Sequence, residues 1–136
     1  MAQTPPFDLP GFFQALGDPT RLRLLNLIAD QEVCVCYLVE ILGAPQPKIS
    51  RHLAYLRNAG IVAARREGKW MHYRIAMPPH LAAARILRQT LDFFKDDQAM
   101  QTDRNRLSAA CCAPATYSLD GAPLPTTLSE PCCEAN

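Results

Sequence analysis

Leu9, Phe12, Phe13 and Leu16 recur at i, i+3, i+4 and i+7, the apolar stripe of an amphipathic helix. Gly17-Asp18 interrupts it. Asp18 then suits an N-cap and Pro19 a first helical position, which predicts a second helix through the run Arg21–Ile28. A third, short helix is expected over about 37–42, stopped by Gly43. A fourth opens with Pro45 or Pro47 in its first turn, runs to about Asn58 and stops at Gly60, with Ile49, Leu53 and Leu56 on one face. The period then changes from helical to alternating. Residues 61–66 and 70–75 read as two strands joined at Glu67-Gly68-Lys69, a β-hairpin. After Pro78-Pro79, apolar residues at 83, 87, 91 and 94 predict a final helix over 81–94.

Four helices, a hairpin and a closing helix make a mainly α fold with a β-hairpin wing (α+β), the order of a winged helix-turn-helix. The third and fourth helices, separated by Gly43-Ala44-Pro45, form its helix-turn-helix. Near residue 106 the composition shifts. Residues 107–136 hold four Pro, three acids and no Lys or Arg, so the chain divides into a domain over 1–106 and an expected flexible tail over 107–136. No stretch approaches the roughly 20 apolar residues of a membrane span. The N-terminal MAQTPPFDLP lacks the basic and apolar regions of a secretory signal, so a cytoplasmic protein is expected.

Charge changes the picture. Between Ala44 and Arg74 there are seven Lys or Arg against one acid, Glu67, a local +6 in a chain whose formal total is +1. Cationic charge concentrated on one helix-plus-hairpin unit is the footprint of a surface for double-stranded DNA. Recognition helices read base edges and phosphates with their N-terminal residues. That singles out Gln46, Lys48, Ser50 and Arg51 on the fourth helix, with Arg65, Arg66 and Lys69 of the wing on phosphate or in the minor groove. His52, at the edge of the buried face, is expected to be structural.

The six Cys come as Cys34-Val-Cys36, Cys111-Cys112 and Cys132-Cys133, close pairs in a chain with no export signal, which favours metal or redox chemistry over a disulfide scaffold. Soft thiolates select soft ions and exclude Mg²⁺ or Ca²⁺. Residues i and i+2 of a helix point about 200° apart. Were Cys34 and Cys36 part of the third helix, both could grip one ion only after local unwinding.

The segments LGDPTRLRLL, EVCVCYLVEIL and QPKISRHLAYLRNAG…REGKWMHYRI together resemble the ArsR/SmtB family of metalloregulators, in particular its arsenical-resistance repressors, over about residues 10–95. The resemblance implies a homodimer paired through its first and last helices. It would sit on operator DNA until arsenite or antimonite, As(III) or Sb(III), binds, with no permanent cofactor. It also implies Cys34 and Cys36 as inducer ligands, with Val39 where the family pattern has a third Cys. The zinc sensors of the family use Asp and His pairs on the last helix, and residues 81–97 contain no His, so a metalloid is favoured over zinc or cadmium. Some arsenic sensors of the family carry a vicinal pair just after the last helix, and Cys111-Cys112 is placed comparably, as a second inducer site or as donors to the first. Redox sensing by the thiols stays open as an alternative. An enzyme is not expected, because Cys34 has neither a phosphate-cradling Gly-rich loop nor a neighbouring basic cluster.

Overall fold

The computed structural model of the chain describes residues 6–117, 119 and 121–125. Helix α1 (Leu9–Leu16) starts at Asp8, whose carboxylate accepts from the Gly11 amide at 3.1 Å. It buries Phe12 and Leu16 but leaves Leu9 and Phe13 exposed, so the predicted stripe splits between two sides of the helix. Helix α2 (Pro19–Leu27) has the expected cap: Asp18 accepts from the amides of Thr20 at 2.8 Å and Arg21 at 3.1 Å. Its residues Leu24 to Ile28 form a continuous buried run, making α2 the central helix of the core.

Strand β1 (Val33–Cys34) leads into α3 (Val35–Leu42), and α4 (Gln46–Asn58) follows. Gly43 sits between them at φ 64°, a left-handed conformation that glycine adopts without steric cost and that ends α3 where the sequence indicated. Ile49, Leu53 and Leu56 are fully buried, so the predicted inner face of α4 is the observed one. The wing is β2 (Val62–Glu67) and β3 (Trp70–Ile75), turning at Gly68 with φ 59°. The chain closes with α5 (Leu81–Phe94), α6 (Gln98–Cys112) and a 3-10 turn over Pro114–Tyr117.

The structure corrects the expected picture in two places. The sheet has three antiparallel strands in the order β1-β3-β2, not two. The short β1 pairs Val33 with Tyr73 and Cys34 with His72, and α3 begins at Val35 rather than near residue 37. The helix over 81–94 is not the last: the boundary expected between 106 and 107 falls inside α6. There Leu107, Ala110 and Cys111 are buried, and Arg23 forks onto Asp103 with bonds of 2.8 and 3.1 Å. Arg106 donates to the Ile41 carbonyl at 2.8 Å, satisfying one of the carbonyls that α3 leaves open at its C-terminus. Residues 107–112 are thus part of the folded body. Among the described residues no helix is long and apolar enough to cross a membrane.

Candidate DNA-binding surface and thiol site

The basic unit presents its charge outward. Gln46, Lys48 and Arg51 of α4 are exposed and Ser50 is half-buried, while the wing residues Arg65, Arg66 and Lys69 are exposed on the hairpin. The helix and the wing carry these groups on two separate projections, the geometry needed to meet a groove and its flanking phosphates together. The wing cations are not idle, however. Arg65 grips Glu32 through two nitrogens at 2.6 and 3.0 Å and reaches Glu67 at 3.2 Å. Arg66 donates to the Gly68 carbonyl at 3.1 Å, and the Lys69 ammonium lies 4.9 Å from the Trp70 ring centroid. The Arg65 hydrogen bond and charge hold the Glu32 carboxyl below its ordinary range. Glu32 was not among the residues singled out in the sequence, because its partner lies 33 positions away.

A second set of contacts fixes the recognition helix to the body. Arg21 donates to the carbonyls of Ala15 at 2.9 Å and Gln14 at 2.8 Å, lies 3.3 Å from His52 Nδ1, and stacks 4.2 Å from the Tyr55 ring centroid. One guanidinium thereby joins the end of α1, the start of α2 and the middle of α4. His52 is half-buried beside Arg21, and burial keeps its imidazole below its ordinary pKa.

Cys34 and Cys36 occupy the junction of β1 and α3. Cys34 is the N-cap of α3, with extended backbone at φ −67° and ψ 143°, and only Cys36 belongs to the helical turn. The expectation that the two thiols diverge is therefore corrected. That argument assumed both residues to be helical, but Cys34 ends a strand, and the Cys36 thiol donates to the Cys34 sulfur at 2.8 Å. This hydrogen bond is the main cause that lowers Cys34 to about 7, against burial, which raises it; the amides of Cys36, Met71 and Val35 help. Cys36 is correspondingly raised, because its proton is held by Cys34 and its own sulfur is half-buried. Two sulfurs bound to one ion at about 2.3 Å sit about 3.3–3.8 Å apart. The pair fits a thiophilic ion after opening by less than an ångström or so, with no unwinding of a full turn.

Cys111 and Cys112 lie in the last turn of α6, the first buried and the second exposed. Adjacent helical residues point about 100° apart, so the flexible backbone assumed for this pair is absent in this conformation. Helix α6 packs on α3, the helix that carries Cys36. Among the described residues, no three His, Cys, Asp or Glu side chains converge to hold a metal ion, so the two thiol pairs do not form one cluster. Cys132-Cys133 lie outside the described residues.

Residues 18–64, from the α2 cap into the first strand of the wing, match the family model described as "Bacterial regulatory protein, arsR family". The chain is 49% identical over 72 residues to the arsenical resistance operon repressor of Escherichia coli K12, across 52% of this chain and 60% of that one. It is 53% identical over 64 residues to an uncharacterised HTH-type transcriptional regulator of Methanocaldococcus jannaschii, covering 46% of this chain and 72% of that one. Its fold superposes on the transcriptional repressor BigR of Xylella fastidiosa with a TM-score of 0.52 and 30% identity, over 63% of this chain and 85% of that chain. The matched segment thus spans less than two thirds of the E. coli repressor. These relatives are regulators of transcription and not enzymes, and the feature they share with this chain is the winged helix-turn-helix described above. The chain belongs to the ArsR family of bacterial regulatory proteins.

Proposed function

We propose that the chain is a metalloid-responsive repressor: a cytoplasmic homodimer that holds the operator of an arsenic-resistance operon and releases it when As(III) or Sb(III) is captured by Cys34 and Cys36. The observation that carries this reading is the thiol pair, 2.8 Å apart at the point where the sheet passes into α3. The 49% identity to an arsenical resistance repressor supports the same choice of inducer. Gln46, Lys48, Ser50 and Arg51 meet the operator from α4, and Arg65, Arg66 and Lys69 from the wing. Leu9 and Phe13 of α1 and Leu81 and Phe93 of α5, all at least 45% exposed, are the apolar surface that a second copy covers.

Release follows from where the thiols sit. Cys34 is tied to β3 of the wing and Cys36 to α3, which continues through Gly43 into α4. The thiols give up their protons and spread to hold the ion, which moves the β1–α3 junction relative to both DNA-contacting projections. Inducer and operator then favour different geometries of one junction, the differential affinity that allostery requires. Cys111-Cys112 of α6 supplies further thiolates, as a second site.

The test is operator binding by anisotropy with and without arsenite in reducing buffer. Cys34→Ser and Cys36→Ser are expected to bind operator as the parent does and to resist release by arsenite. Release of both variants at the parent's arsenite concentration would refute the assignment and move the site to Cys111-Cys112. The short S···S contact also favours a second reading, in which peroxide joins Cys34 and Cys36 as a disulfide. Operator release by peroxide alone, reversed by dithiothreitol, identifies that case.

A further inference from the structure

Among the described residues Asp103 of α6 is the buried carboxylate, 6% exposed, and neither DNA contact nor the thiol pair uses it. A carboxylate buried this far is tolerated only when it is paired. Arg23 of α2 forks onto it at 2.8 and 3.1 Å, and Arg106, one turn further along α6, stands 4.0 Å away. Asp103 therefore fixes where the Arg106 guanidinium lies. That guanidinium spends an N–H on the Ile41 carbonyl at 2.8 Å. Ile41 is 1% exposed and sits at the end of α3, just before Gly43 and the turn that leads to Gln46 and α4.

The last turn of a helix leaves carbonyls without intrahelical partners. At the end of α3 the Gly43 amide takes the Val39 carbonyl at 2.9 Å, and Arg106 takes that of Ile41. Arg106 also brings positive charge to the negative end of the helix dipole. The chain thus leaves α3 from a point held by a third helix.

We propose that Arg106, anchored by Asp103, is a positioning residue for operator reading, which through the end of α3 sets where α4 presents Gln46, Lys48 and Arg51. This rests on the reading of α4 as the operator-facing helix. Arg21 holds the middle of α4. Arg106 governs the turn before its N-terminus, where base-reading residues stand. Hydrogen bonds to base edges need donor and acceptor within a few tenths of an ångström of their best distance, whereas long cationic side chains follow a phosphate as the helix shifts. Slack in the turn therefore weakens operator binding and spares non-specific binding. Folding loses little, because the Arg106 side chain is 49% exposed and water can follow a shorter side chain to the carbonyl.

The experiment uses the full reduced chain and its Arg106→Met, Arg106→Lys and Arg51→Ala variants. Each is titrated by anisotropy against a duplex selected by the parent protein from random sequence and against a scrambled duplex, and each is melted. Methionine keeps the apolar stem and removes charge and donors; lysine restores both. Arg106→Met should lose at least about fivefold on the selected duplex, the lower end of what one base contact is worth. It should stay within about twofold on the scrambled one and melt within about 5 °C of the parent. Arg106→Lys should recover most of the loss. Amide exchange at Gly43 should quicken in Arg106→Met while that of the buried α2 residues Leu24 and Leu25 stays as in the parent. Unchanged affinity for the selected duplex overturns the proposal. So does an equal loss on both duplexes with a shallower salt dependence, which would make Arg106 a phosphate contact, and so does a variant that no longer folds while Arg106→Lys gains nothing on the parent's loss of stability. If Arg51→Ala binds both duplexes as the parent does, the reading of α4 itself falls, whatever Arg106 does.

Discussion

Glu32→Gln should make this protein hold DNA more tightly. In the structure Arg65 is committed to Glu32 by bonds of 2.6 and 3.0 Å and to Glu67 at 3.2 Å, so a phosphate must displace a carboxylate before it can use that guanidinium. Glutamine at 32 keeps the size and a carbonyl acceptor but removes the charge. Arg74, 4.0 Å from the same carboxylate, is relieved as well. Each additional phosphate neutralised steepens the dependence of log K on log salt by about 0.9. Removing that competition for Arg65 therefore amounts to a gain in affinity of up to roughly five- to eightfold at 0.1–0.15 M salt, shrinking toward none near 1 M. The gain should be nearly the same on operator and on a scrambled duplex, because a phosphate contact carries no sequence information. Anisotropy titrations of both duplexes at several salt concentrations measure slope and affinity together. An unchanged slope, or weaker binding by the variant, would show that Arg65 stays on Glu32 in the complex and that the bridge shapes the wing instead.

The remaining expectations are simpler. Arg51→Ala should cost about 1–3 kcal/mol of operator binding if its guanidinium meets a base edge, with a smaller loss on scrambled DNA, as paired gel-shift titrations would read. Leu107→Ala should destabilise the fold by about 2–4 kcal/mol in urea melts at fixed protein concentration, since Leu107 is 3% exposed. The exposed Ser108→Ala should stay within about 0.5 kcal/mol; equal effects would return residue 107 to a tail. Asp18→Ala should cost about 1 kcal/mol at neutral pH through loss of the α2 cap. Burial alone would raise the Asp18 carboxyl, but the Arg21 and Thr20 amides and the Arg21 charge bring it below its ordinary value. The cap's contribution is therefore full above the ordinary carboxylate pKa and lost as pH falls through the lowered one, so parent and variant should converge in acid melts.

How much of this was legible in the sequence depends on how local each signal is. The α4 face of Ile49, Leu53 and Leu56, the Asp18 cap and the Gly43 and Gly68 breaks are set by residues within a few positions of one another, and all stand in the structure as read. Strand β1 is two residues long, too short to show a period, and it exists because β3 offers an open edge. Missing it placed Cys34 in a helix and pointed the thiols apart. Helix α6 hid because its inner face is Asp103, Leu107, Ala110 and Cys111, small or charged residues that give a faint apolar stripe. Asp103 is tolerated there because Arg23 meets it from α2, 80 positions away. Glu32 was invisible for the same reason: its meaning lies in Arg65, 33 positions away.

The Arg21 guanidinium has a consequence for the spacing of the operator. By holding the carbonyl end of α1, and through His52 and Tyr55 the middle of α4, it ties α1 and the reading helix into one bracket. In a dimer paired through α1, the separation of the two reading helices is then a fixed length rather than an adjustable one. Half-sites must lie one helical turn apart, about 34–36 Å, or a multiple of it. A single inserted base pair displaces one half-site by about 3.4 Å and turns it about the duplex axis. In the proposed dimer such a bracket could not follow both changes, so the distance between the half-sites would be measured as strictly as their bases are read.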